Sequence, residues 1–177
     1  MKDTSRTLPQ LMSLFKDNAT GAISAQDMRD FVRSIWQSGS IRMPISATPS
    51  GQTIGTSYEK ITQFTKRGIS SPSITTSVSN SNIVFGKGGV FVAVAQLSFS
   101  GSPNIEWSGS LFRNGDDAEV CNFKHISRGA GGGISIATAF DSILVLDGHV
   151  LDYRVKANSD NRMFTLETGI FSVFRIG

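Results

Sequence analysis

Two different hydrophobic periods divide the chain. Between Ser24 and Trp36 the apolar residues fall at Met28, Phe31, Val32, Ile35 and Trp36, the i, i+3, i+4, i+7, i+8 series of one helical face. Asp27, Arg29, Asp30, Arg33 and Gln37 take the opposite face. Ser24 stands at the N-cap position with Asp27 three residues on, a capping box with Asp in place of Glu or Gln. Leu8, Leu11, Met12, Leu14 and Phe15 predict a shorter helix before it, with Pro9 tolerated in the first turn and Asp17 to Gly21 as the break. The two form a helical hairpin too small to hold a core. A helix of about 13 residues is marginal alone in water. Its five apolar side chains could contribute on the order of 10 kcal/mol if all were buried. They need a partner surface, and the pattern leaves open whether that surface belongs to this chain or to another.

From about Tyr58 the period changes to short β runs separated by turn residues. Ile61 to Ile69, Ile74 to Val78, Ile83 to Phe85, Val90 to Phe99, Ile105 to Phe112 and Val120 to Ile126 come first. Ile134 to Phe140, Ile143 to Leu146, Val150 to Val155 and Phe164 to Ile176 follow. Asn114-Gly115 carries two-residue hairpin chemistry, and Asp147-Gly148 marks another turn. Many short strands at regular spacing, with no helical pattern between them, predict an antiparallel sandwich or jelly roll rather than βαβ units. Between the two periods, Ser38 to Thr56 holds Gly39, Pro44, Pro49, Gly51 and Gly55 with little periodicity, and reads as an extended linker. The expected organisation is a helical attachment segment over 1–37, a linker over 38–57 and a jelly-roll head over 58–177. In fold class the chain is mainly β.

Composition narrows the functional classes. The 177 residues are 39% hydrophobic and include 18 glycines, enough for a core in a turn-rich β protein. The net charge of +3 is slight and its basic residues are scattered, Lys66-Arg67 being the densest pair, so no nucleic-acid stripe is expected. Cys121 is the single cysteine and excludes an internal disulfide. No apolar run reaches the length of a membrane span, and Met1 to Thr7 is too polar to open a secretory leader. A protein outside the membrane is expected.

Two resemblances add to this reading. Gly89-Val90-Phe91-Val92-Ala93 at a strand opening, Leu111 to Gly115, Ser142 to Val150 and Phe171 to Ile176 follow one another as in the tumour necrosis factor-like jelly roll, and resemble its complement globular-head branch more closely. Asp147-Gly148 reverses that family's Gly-Asp order, and its usual aromatic after Gly89 is displaced to Phe91. The resemblance implies a homotrimer, with strand aromatics packed at the threefold axis. Phe91, Tyr153, Phe171 and Phe174 are the candidates for that contact, against the simpler alternative that they fill the core of one subunit. Separately, Leu11 to Trp36 is similar to a segment near the N-terminus of many tailed-bacteriophage virion proteins: fibres, decorations and other trimeric appendages. That similarity implies a virion component whose N-terminal segment serves attachment, with Met28, Phe31, Val32, Ile35 and Trp36 as the contact residues.

Candidate chemistry is sparse. Asp17 to Gly21 resembles part of a calcium loop, but with Gly21 at the sixth position Lys16 falls first and no bidentate Glu closes the loop. Gly86-Lys87-Gly88-Gly89 and Gly129 to Gly133 open no helix and precede no Lys-Ser/Thr, so they read as hairpin glycines rather than phosphate loops. His125 and His149 lack companions at metal-ligand spacing. His125, Asp141 and a serine make a triad by inventory only. Asp116-Asp117 flanks a turn, and Cys121 sits in a strand run as a small core residue. No catalysis, no cofactor and no metal are expected. Three functions then compete. One is a capsid decoration or cement protein seated on the major capsid protein, assembled in the host cytoplasm and resident in the virion. The second is a receptor-binding tip or short fibre on tail or neck that recognises a host surface receptor, glycan or protein. The third is an extracellular signalling or lectin domain, which the lack of a leader and of disulfides disfavours. The short spacing between helix and head favours decoration.

Overall fold

A computed structural model describes residues 6, 10, 25–35, 37–44, 46–118, 120–127 and 133–176. Helix α1 spans Ala25–Ile35, with Asp27 in its first turn where the helix dipole favours an acid. Thirteen strands follow: β1 Ser38–Met43, β2 Gly51–Ile54, β3 Glu59–Lys60, β4 Lys66–Ser70, β5 Ile74–Ser77, β6 Asn82–Phe85 and β7 Gly89–Gly101. The rest are β8 Glu106–Arg113, β9 Asp116–Asp117, β10 Phe123–Ile126, β11 Ser135–Val145, β12 Val150–Ala157 and β13 Arg162–Arg175.

They form two antiparallel sheets. The first runs β11-β7-β13-β1-β4, with β2 also on β13; the second runs β10-β8-β12-β6-β5, with β3 on β12 and β9 on β8. Apart from the hairpins β5-β6 and β8-β9, neighbouring strands are non-sequential, which gives a jelly-roll sandwich. Its core lies between the sheets. Strand β7 shows the alternation that builds it: Phe91, Ala93, Ala95, Leu97 and Phe99 are buried, while Val90, Val92, Val94, Gln96 and Ser98 point outward. Phe99 stacks on Phe164 at 4.9 Å between ring centroids, and Trp107 meets Phe164 edge-on at 5.4 Å. Between β8 and β9, Asn114 and Gly115 both have positive φ, 53° and 96°, the two left-handed residues that the tightest hairpin requires.

Two expectations change, and one is left without a test: apart from Gln10, the shorter N-terminal helix falls outside the described residues, so of the expected hairpin α1 is the part seen. The stretch read as a linker instead supplies β1 and β2: Ser38–Met43 lies between β13 and β4, and Ile41, Met43 and Ile54 are core residues. Its Gly39 reflects proximity rather than flexibility. A Cβ there would lie 2.5 Å from the Cγ2 of Ile74 on the facing sheet. Finally, the two strands expected over Ile134 to Leu146 are one, because Asp141 and Ser142 keep the register with Ala93 and Val92.

Candidate interaction surface

The outward face of the first sheet is built from the positions that the core leaves over. On β11 the core takes Ala137, Ala139, Ile143 and Val145, so Ile136, Phe140 and Leu144 point away from it. Register then lines them up with β7 and β13. Phe140 sits opposite Val94, Leu144 opposite Val90, and Val92 lies between Ser142 and Phe174. Phe140 is 74% exposed, and Ile136, Leu144 and Phe174 are exposed with it. Large side chains are normally turned inward, so this contiguous outward group makes the face the candidate contact surface. Strand β11 ends the sheet, and a long apolar edge strand invites a partner. Beside it, where the pairing of β13 with β7 shifts between Leu166 and Thr168, a groove of about 500 Å³ crosses the face. Arg42, Gln96, Ile136, Thr168 and Ile170 line it.

Of the four residues expected at a subunit contact, this face holds one. Phe174 lies on it. Phe91, Tyr153 and Phe171 are 0%, 1% and 0% exposed within a single chain and offer no side-chain surface to another. Phe91 packs edge-on against Phe85 at 4.7 Å, and Tyr153 lies against Phe171 at 6.0 Å. These three are core residues. The reason is parity: Phe171 and Phe174 are an odd number of residues apart on one strand, so they take opposite faces. Ile136, Phe140 and Leu144, which the sequence reading did not single out, occupy the face instead.

Of the attachment residues, Met28 and Val32 are exposed, four apart on α1, and Phe31 is half-buried. Ile35 ends the helix, and Trp36 lies outside the described residues. The polar side of α1 is fastened by Asp30, which is buried and pairs with Arg6 at 2.9 Å while accepting from Gln26 at 2.8 Å.

Among the described residues no group of three or more His, Cys, Asp or Glu side chains is placed to hold a metal ion. His125 turns toward the edge of the Phe99 ring at 5.9 Å, and His149 Nδ1 accepts from the Leu146 N–H at 3.1 Å. Cys121 is buried, and its thiol donates to the Ala139 carbonyl at 3.2 Å. Burial pushes that thiol up to about 11. The first glycine loop is closed on itself. Asp147 accepts from the Gly88 N–H at 2.7 Å and pairs with Lys87 at 3.0 Å. The Gly88 bond first, and Lys87 second, hold this carboxyl below the usual carboxylate range. Residues 129–132 of the second glycine loop lie outside the described residues. No described helix is long and apolar enough to cross a membrane.

No family model matches the sequence, and no curated protein matches it. Solved structures do match in fold. The Eiger tumour necrosis factor of S. frugiperda superposes with a TM-score of 0.59 at 11% identity, over 80% of this chain and 93% of that one. The globular domain of the zebrafish complement 1qA protein superposes with a TM-score of 0.53 at 13% identity, over 80% and 98%. The tumour necrosis factor- and complement-like jelly roll expected from Gly89–Ala93 and the closing strand is therefore the fold of this chain.

Proposed function

We propose that the protein is a non-enzymatic structural component of a tailed-phage particle, a homotrimer of jelly-roll heads that decorates or cements the capsid. The observation that carries the assembly half is the outward face of the first sheet, where Ile136, Phe140, Leu144, Val90 and Phe174 are left to solvent by a single chain. Covering them with the same face or edge of a second copy removes apolar surface that a folded head cannot bury internally. Three copies around an axis close such a contact, as the resemblance to the jelly-roll family implies. The particle half rests on the similarity of Leu11 to Trp36 to virion attachment segments, and on α1, whose Met28 and Val32 face outward. In this reading the segment before Ser38 seats the trimer on the major capsid protein, and the heads face away from the shell.

The test is reconstitution. Full-length protein should sediment as a trimer and saturate particles that lack it, whereas a variant without residues 1–36 should remain a folded trimer and fail to bind. A stable monomer at micromolar concentration would remove the assembly half. Unchanged binding by the truncated head would place the attachment site in the jelly roll and remove the other half. Saturation of tail or neck in place of capsid would assign the protein to the receptor-binding apparatus.

A further inference from the structure

The outward face of the second sheet differs in chemistry from that of the first. We infer that it binds an acidic polysaccharide, held by two cationic rows across β3, β12, β8 and β10. Register places Lys156 opposite Ser108 and Ser108 opposite Lys124, one row across three strands. The next row runs from Lys60 on β3 through Arg154 to Ser110. With strands about 4.8 Å apart and alternate residues about 7 Å apart, Lys156 and Lys124 are rooted about 10 Å from one another across a serine floor. Four cations thus share a field with two carboxylates. Asp152 pairs with Lys60 at 3.1 Å and Arg154 at 2.6 Å, and Glu106 pairs with Lys124 at 2.8 Å. Lys156 has no carboxylate partner among the described residues; its ammonium sits over the Tyr58 ring at 4.5 Å.

The same contacts fix the cations in place. The Arg154 guanidinium lies 4.2 Å over the Phe112 ring, and Tyr58 meets Phe112 edge-on at 5.3 Å. A row of pre-positioned cations loses little freedom on binding. Two features favour a glycan over a nucleic acid. Phe112 is buried, and Tyr58 and Phe112 each hold one of the protein's own cations on a ring face, which leaves little open aromatic surface for bases to stack on. Glu106, beside Lys124 on this face, repels a continuous phosphate backbone, whereas the hydroxyls that an acidic sugar carries beside its carboxylate can donate to it. Beside Lys124 the face opens into a cleft of about 680 Å³ lined by Glu106, His125, Ile126, Ile134 and Ser135, room for a small number of sugar units.

The experiment measures binding of the full-length protein to polygalacturonate, to neutral dextran and to oligothymidylate at low salt. Polygalacturonate should bind and be released by salt, and dextran should not bind. Lys124→Ala with Lys156→Ala should weaken polygalacturonate binding about tenfold or more, with the thermal melt unchanged. Lys66→Ala with Arg67→Ala, on β4 of the other sheet, should leave it unchanged. An unaffected first variant, an equally damaged second variant or equal binding of dextran overturns the proposal. Oligothymidylate bound as tightly, and lost through the same two lysines, overturns it in favour of nucleic acid.

Discussion

The Tyr153 hydroxyl donates to the Cys121 carbonyl at 2.5 Å, inside the core. Cys121 has a φ of 57°, a left-handed conformation rarely taken by a residue with a side chain. The bond ties that bend, just before β10, to the middle of β12. Tyr153→Phe leaves a buried carbonyl without its donor and should cost about 1–3 kcal/mol. A lowered urea midpoint with unchanged assembly mass checks this, and a change in mass would return Tyr153 to the subunit contact.

The Cys121 thiol gives a pH signature. Burial raises it from 9.0 to about 11, with the neighbouring Asp141 charge adding to the shift and a backbone hydrogen bond opposing it. The unfolded chain therefore loses this proton first as pH rises. The stability it contributes is whole below 9 and is lost as pH climbs through about 11. Cys121→Ala should flatten that part of the stability profile. In the native wild type, alkylation at mildly alkaline pH should proceed only as fast as the core opens, read by mass shift over time.

The two faces of the first sheet should respond oppositely to charge. Phe171→Asp puts an unpaired carboxylate in the core and should prevent folding. Phe140→Asp with Leu144→Asp puts charge on the exposed face and should leave the strand spectrum intact while lowering the assembly mass to that of one chain. Circular dichroism paired with sedimentation separates the two results.

Truncation should show a sharp boundary. Removal of residues 1–36 leaves every strand in place. Removal through residue 56 takes away β1 and β2 and with them Ile41, Met43 and Ile54, at about 1.5–3 kcal/mol for each buried side chain. It also exposes the edges of β13 and β4. The shorter truncation should melt cooperatively, and the longer one should be insoluble or unfolded.

Much of the head is legible in the sequence, for a simple reason. Val90 to Phe99 alternates, Asn114-Gly115 can only be a tight turn, and the closing run from Phe164 is long and apolar. Strand β1 is hidden because its inward positions include Gly39, set by the nearness of Ile74, and its outward positions include Ser38 and Ser40, buried small polar residues that mimic a linker. The interaction surface is hidden by the usual assumption that large residues point inward. On β11 Ala137 and Ala139 point into the core, opposite Leu97 and Ala95 of β7, while Ile136, Phe140 and Leu144 take the other face, opposite Ser98, Val94 and Val90. Strand parity separates Phe171 from Phe174 without any structure, but the absolute face of β11 depends on its partner.

The position of β1 also determines how the head answers to force. Ser38 pairs with Phe174, and the Arg175 N–H donates to the Gln37 carbonyl, so the arm enters beside the strand that ends the chain. Tension on the arm runs along the axis of β1 and loads its hydrogen bonds to β13 and β4 in shear, all together. Peeling them one at a time would need a pull across the sheet. A head tethered in this way resists extraction along its arm with the strength of two whole ladders, and yields most readily to a sideways tug.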